Sequence, residues 1–338
     1  MATYSQLRVF SSGDSGAPVL SGSVTGSLLN MLGKVLVDGY GSTPSAGWTR
    51  AVPDSGNCGA FKQGTGSMMT LYVKDNAGGT GFTKEARITG FESVTDISTN
   101  PFPTGSNSFP SASQAGSAGS QPTSPGGLNQ SGYLIARVSN TVDSTVRPWL
   151  VFADSSSMYC FIYTGDNAAN QLAFSFGDFY SIKSGSADTY RCLLTGRITE
   201  NSATITVDKT DALSSATAVV TGHFSPRSYN GIGTSVAMGK HGDGVKGSTS
   251  ALLGNLTFPN PTDTALYISP VWVTESTTGN VRGRMRGFYQ FCHAITNVVD
   301  GQTFSGSGDF SGKTFRIVKT SGNAGVYLME TSATVETN

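Results

Sequence analysis

WLVFADSSSMYCFIY, residues 149–163, holds two unbroken apolar runs of strand length, 149–152 and 158–163. Between them lie Ala153 and the polar run Asp154, Ser155, Ser156 and Ser157. Short apolar runs bounded by turn residues read as strands buried on both faces, here joined as a hairpin. A strand that is apolar on both sides needs cover above and below, so this hairpin is expected at the centre of the core. It lies within a larger block, residues 132–198, around which the rest of the chain is organised.

Upstream, Val24, Leu28, Met31, Leu32 and Val35 recur at helical spacing, with Ser27, Asn30 and Lys34 on the opposite face. The spacing predicts one amphipathic helix over 24–36, lying on a sheet, capped by Ser21 or Ser23 and ended by Gly39. Strands are expected over 48–52, 68–74 and 86–91, with Gly, Asp and Asn in the turns between them. Residues 98–132 then lose all periodicity and hold five of the thirteen prolines. Such a stretch builds no core and is expected to be a long loop or an arm that reaches a neighbouring subunit.

Downstream, 203–207 and 218–221 are short strand candidates, and 226–254 is a second irregular, Gly- and Ser-rich tract. Strands follow over 266–273, 282–291, 314–318 and 326–330. The organisation expected is therefore 1–97 (helix plus strands), 98–132 (loop or arm) and 133–338 (β-rich core), with the first and last able to form one continuous domain. No fixed-period repeat occurs, which argues against solenoids and β-helix spikes. The fold class expected is mainly β: antiparallel, sandwich- or barrel-like sheets with one N-terminal amphipathic helix.

Composition narrows the function classes. Lys plus Arg and Asp plus Glu are both 22, so the formal net charge is zero. Sequence-independent nucleic-acid binding draws on excess positive charge, so neither nucleic acid nor an anionic membrane is expected as a partner. Charged residues are only 13% of the chain, about half the usual share, and 43 glycines help take their place. Little self-repulsion favours close packing of many copies. The N-terminus lacks a signal-peptide pattern and no window has the apolar length of a membrane span. Cys58, Cys160, Cys192 and Cys292 are widely spaced without a CxxC pair, so reduced thiols are expected, and neither disulfides nor a zinc site.

Each motif with a chemical look has a plainer reading. Gly13–Pro18 imitates a serine-protease GDSGGP signature, but His223, His241 and His293 all follow Ser15, and a polar turn before the helix fits better. Ser311-Gly312-Lys313-Thr314 resembles the end of a P-loop, yet Ser307 stands where the first glycine belongs and 314–318 reads as a strand. Asp154, Asp166, Asp178 and Asp188 sit in or beside turns, where Asp is common, and sequence shows no glycosidase pair among them. Asp178 is a candidate partner for Arg147, which precedes Pro148 at the mouth of a buried strand. Arg282, Arg284 and Arg286 alternate with Gly283 and Met285, placing three arginines on one strand face, where ion pairing within or between subunits is expected. Trp48, Trp149 and Trp272 are expected in the β core rather than stacked on sugars.

Several strings, taken together and in order, carry a resemblance. They are GAPVLSGSVTGSLLNMLGKVLVDGYGS (16–42), RPWLVFAD (147–154), FGDF (176–179), SPVWV (269–273) with VRGRMRGFY (281–289), and GDFSGKTFRIVK (308–319) with YLMETS (327–332). The chain resembles a family of tailed-bacteriophage virion proteins, from about residue 10 to the C-terminus. The resemblance implies a β-rich, non-enzymatic structural protein with no assigned catalytic site, cofactor or small-molecule substrate. Its expected partners are other virion proteins and copies of itself, in a virion assembled in the host cytoplasm. Capsid decoration or a neck or collar position is favoured over a tail or baseplate accessory, because no stalk or repeat is present. A receptor- or glycan-binding adhesin is the alternative, and a glycosidase or peptidase ranks third.

Overall fold

In a computed structural model the described residues are 5–75, 85–98, 103–111, 134–138, 143–163, 171–183, 188–197, 221–232, 235–241, 259–275, 279–293, 298–320 and 325–332. The first arm starts with β1 (Arg8–Ser11) and helix α1 (Ser27–Gly33), which runs into a π-helical turn, Lys34–Asp38. An antiparallel meander follows: β2 (Thr49–Ser55), β3 (Cys58–Lys62), β4 (Thr70–Lys74), β5 (Glu85–Asp96) and β6 (Thr104–Phe109). β7 (Leu134–Arg137) then pairs with the first part of β5, on the edge that β6 occupies further along.

The helical segment starts three residues later than its periodicity predicts and runs on to Asp38, and its start is held differently. Gly26 precedes it in a left-handed conformation with no side-chain cap. Neither the Ser21 nor the Ser23 side chain caps it, although the Ser27 hydroxyl of its first turn donates to the Ser21 carbonyl at 2.8 Å. Instead the Leu28 and Leu29 amides donate to Asp75 Oδ2, at 2.9 and 3.2 Å, from the end of β4. A carboxylate there satisfies two orphan amides and meets the positive end of the helix dipole. Gly39 ends the helical segment, as expected.

β8 (Trp149–Ala153) and β9 (Ser157–Tyr163) form the central hairpin, and β10 (Gln171–Asp178) pairs with β9. β11 (Tyr180–Ser181) and β12 (Cys192–Arg197) follow. The hairpin does divide two cores. Trp149, Val151, Ala153, Met158, Cys160 and Ile162 face the first, with α1 and one face of β3, β4, β5 and β7. Leu150, Phe152, Tyr159 and Phe161 face the second. Period-two alternation thus sends alternate residues of one apolar strand into different cores. β12 is the junction: on one edge it pairs first with β10 and then, at Arg197, with Ile135 of β7. Residues before 110 and after 133 therefore share both a sheet and a core.

The second sheet covers the far side. β13 (Thr221–Ser225) pairs with the other edge of β12, and β14 (Val236–His241) passes from β13 to β15 (Ile268–Glu275). β16 (Val281–Phe291), β17 (Thr303–Ser305), β18 (Thr314–Thr320) and β19 (Gly325–Glu330) complete it, in the order β14–β15–β16–β19–β18–β17. The described residues are thus mostly antiparallel β with a single short α-helix, as expected. Two strands appear where irregular chain was expected: β6 within 98–132 and β14 within 226–254. Residues 112–133, 203–207 and 218–220, which carried other expectations, lie outside the described residues.

Candidate functional site

The turn joining β8 to β9 is a buried polar place, with Asp154, Ser156 and Ser157 each 2% exposed. Asp154 Oδ1 accepts the Ser156 and Ser157 amides, both at 2.8 Å, and the Ser156 hydroxyl at 3.0 Å. This is the local side-chain-to-backbone bonding that makes Asp a turn residue. The first arm grips the same turn from outside: Trp48 Nε1 donates to the Asp154 carbonyl at 2.5 Å, Gly64 N to the Ser155 carbonyl at 2.8 Å, and Gln63 Nε2 to the Ser156 carbonyl.

Arg286 approaches from the second sheet. Its guanidinium donates to Asp154 Oδ2 at 2.7 Å, Ser157 Oγ at 2.9 Å and the Ser5 carbonyl at 3.0 Å, and also reaches the Ser156 hydroxyl. Both side chains of the Arg286–Asp154 pair are only 2% exposed. Burial works against the guanidinium's charge, yet the Asp154 carboxylate outweighs it and holds the Arg286 pKa above the ordinary arginine value. The strand geometry explains how a ladder residue gets there. Four residues, 285–288, lie opposite the single Val271, and Gly287 has a φ of +57°. Such a bulge re-aims side chains: Met285 and Phe288 both enter the second core while Arg286 leaves the ladder.

A second buried cluster forms around Arg282, four residues before Arg286 on the same strand. Arg282 Nη2 donates to both Asp188 oxygens at 2.9 Å, and its Nη1 to Glu275 Oε1 at 2.8 Å and the Arg227 carbonyl at 3.0 Å. Arg284 is half-buried, its guanidinium 5.4 Å from the Tyr180 ring centre, and Arg286 flanks the same ring at 5.6 Å. Gly283 is needed beside this stack, because a Cβ there would collide with the Tyr180 carbonyl. The arginine-rich strand therefore makes its ion pairs within the chain, at Arg282 and Arg286.

Asp178 is not the partner of Arg147. Arg147 Nη2 bonds both oxygens of Asp143, four residues earlier, at 2.9 and 3.0 Å. Register explains the separation. Trp149 pairs with Ile162 at the open end of the hairpin, whereas Gly177 pairs with Ser157 at its turn. Asp178 thus sits at the opposite end from Arg147. There it accepts Gln63 Nε2 at 3.0 Å and the Ser67 amide at 3.0 Å, and faces Arg191 Nε at 3.1 Å. Burial raises its carboxyl above the ordinary aspartate range, against the pull of Ser67, Arg191 and Gln63. Gln63, Ser67, Arg191 and Glu275 escaped the sequence reading. None carries a local pattern, and only the folded register brings them to these carboxylates.

The remaining expectations divide. Trp48 and Trp149 are buried, but Trp272 is 38% exposed, opposite Arg284 in the β15–β16 ladder. Val271 and Val273 on either side of it face the second core, so alternation turns Trp272 outward. Asp166 lies outside the described residues. Among the described residues no three His, Cys, Asp or Glu side chains gather as metal ligands, and no helix is long and apolar enough to cross a membrane. Cys58, Cys160, Cys192 and Cys292 are free thiols, and burial raises the pKa of Cys160 and Cys192. A cavity of about 10 Å³ lies between Ser157, Phe176, Asp178, Leu193 and Met285, space for about one water molecule. Comparison with protein-family models finds no match, and neither does a search of curated proteins.

Proposed function

We propose that the chain is a non-enzymatic structural protein of a tailed-bacteriophage virion, present in many symmetric copies. Capsid decoration or a neck or collar position is the favoured place, with a tail or baseplate accessory behind it. Its partners are copies of itself and other virion proteins, and it works by surface complementarity rather than by turning over a substrate. The observation that carries this reading is the use made of the central block's carboxylates. Asp154, Asp178 and Asp188 are each 2% exposed and engaged by arginines, hydroxyls and backbone amides that join the sheets. A carboxylate committed in this way serves packing. The neutral, sparsely charged composition adds to it, since close-packed copies repel one another little.

The test is antibody labelling of purified particles of the phage that encodes the chain, viewed by electron microscopy. Label at a symmetric set of positions supports the reading. Particles that lack the chain, or purified protein that cleaves a host polysaccharide or peptide, would overturn it.

One observation favours a second reading, a glycan-binding adhesin. Trp272 presents an indole to solvent with Arg284 beside it, and an aromatic face next to a cationic donor suits a sugar ring. A glycan array distinguishes the two. Binding that disappears in Trp272→Ala selects the adhesin, and an array without binding selects the architectural role.

A further inference from the structure

Ser175 is a polar residue in an apolar stretch of β10. Its neighbours Phe174 and Phe176 face the first core and Ala173 the second, so alternation turns Ser175 into the second core as well. It is 3% exposed, and among the described residues its hydroxyl has no hydrogen-bond partner. The hydroxyls beside it in the ladder do not supply one. Thr195, opposite on β12, bonds its hydroxyl to His223 Nδ1 at 3.3 Å. Tyr159, opposite on β9, lays its ring on Phe288, with centres 5.4 Å apart.

Ser175 lines the cavity of about 10 Å³ beside the hairpin turn, together with Ser157, and Leu193 and Met285 of the second core line it too. Ser157 pairs with Gly177 and Tyr159 with Ser175, which makes Ser157 and Ser175 diagonal neighbours on one face of the ladder. The Ser157 hydroxyl gives its one proton to the Asp178 carbonyl at 2.9 Å and accepts from Arg286 Nη1 at 2.9 Å. One of its two lone pairs is left to accept.

We propose that this cavity is a water site, in which one buried molecule bridges the two serines. The water accepts from Ser175 Oγ and donates to Ser157 Oγ. Room and chemistry agree on this occupant. The volume holds about one water, and two hydroxyls supply the two polar partners that an internal water needs at least. A buried hydroxyl without a partner is costly, and the water removes that cost at Ser175. The bridge also extends the polar network of the hairpin turn. That network runs from the Ser5 carbonyl through Arg286 to Ser157, and the water carries it on to the middle of β10.

The test is a crystal structure of the protein that shows ordered solvent, beside those of Ser175→Ala and Ser175→Val. The unmodified protein should show a density peak within about 2.5–3.0 Å of both serine oxygens. Ser175→Ala keeps the room but removes one partner, so the peak should weaken or vanish. Ser175→Val suits a strand and fills the space, so the peak should be gone. No peak in the unmodified protein, or one undiminished in Ser175→Ala, overturns the site. In solution, oxygen-17 relaxation dispersion counts long-lived internal waters and needs no crystal. Ser175→Val should hold one fewer than the unmodified protein, and equal counts overturn the site.

Discussion

On one side of the central hairpin, Met31, Leu32 and Val35 share a core with Val151, Cys160 and Ile162, all essentially inaccessible to solvent. On the other, apolar side chains also fill the second core, but Arg286 and Arg282 are added, as buried as the leucines. The first side is held mainly by shape and burial. The second is additionally tied at two points by buried ion pairs, each reaching a turn or loop of another segment. Apolar packing tolerates a shift of one side chain at a graded cost, whereas a buried ion pair loses much of its compensation at once. The hairpin is thus packed on one face and registered on the other. The second sheet lies where Arg286 meets Asp154.

The sharpest way to break the contrast is to remove one partner of that pair. Arg286→Met is expected to cost about 3–5 kcal/mol, because Asp154 is left buried with an unpaired charge. Replacing both, as Arg286→Met with Asp154→Asn, should recover a large part of that loss, since the amide still caps the Ser156 turn. Urea unfolding of the single and double variants measures the difference. A double variant no more stable than the single would mean that the pair is not the tie. Leu32→Ala, on the packed side, is expected to cost about 2–4 kcal/mol through its cavity, with no partner substitution able to restore it.

The parts of this arrangement that sequence made legible are those written in consecutive residues. The runs 149–152 and 158–163 announce a two-sided strand pair, and the Leu28–Met31–Leu32–Val35 spacing announces the helix. What stayed hidden depends on contacts between distant residues. The cap on α1 is supplied by Asp75 from a different strand, and nothing near Ser27 hints at it. β6 reads TGSNSF, without apolar alternation; its ladder to β5 makes it a strand, and edge strands need no hydrophobic pattern. The Arg147–Asp178 pairing failed for the same reason. Both residues belong to the hairpin's neighbourhood, but antiparallel register sends them to opposite ends. The arginine alternation at 282–286 was visible, whereas the Gly287 bulge that turns Arg286 towards Asp154 was not.

Asp178 sharpens the comparison in a different way, because burial sets the direction of its shift despite Arg191 nearby. A carboxyl whose folded pKa is raised stabilises the fold fully below the ordinary aspartate pKa, and that stabilisation is lost as pH rises through the raised value. Asp178→Asn should therefore flatten the stability profile across that window. Its cost near neutrality is expected to stay below about 2 kcal/mol, since the amide still accepts from Ser67 and Gln63. Unfolding midpoints measured from pH 4 to pH 8 check both points. A steeper fall in the variant would mean that Arg191, not burial, governs the carboxyl.

The smallest effect is expected where charges meet at the surface. Arg50 bonds Asp38 at 2.7 and 3.2 Å and Asp54 at 3.0 Å, a network as well formed as the one around Arg286. Its side chain is 30% exposed, however, and solvent already compensates much of what the pairs supply. The Arg50 hydrogen bond holds the Asp38 carboxyl below its ordinary range, so this contribution is present above the usual aspartate pKa and fades as pH falls through the lowered value. Arg50→Ala should therefore cost at most about 1 kcal/mol at neutral pH, less in high salt, and nothing in strong acid. A loss as large as that of Arg286→Met would show that ion pairing outside the cores also registers the sheets, and the contrast between the hairpin's two faces would no longer hold.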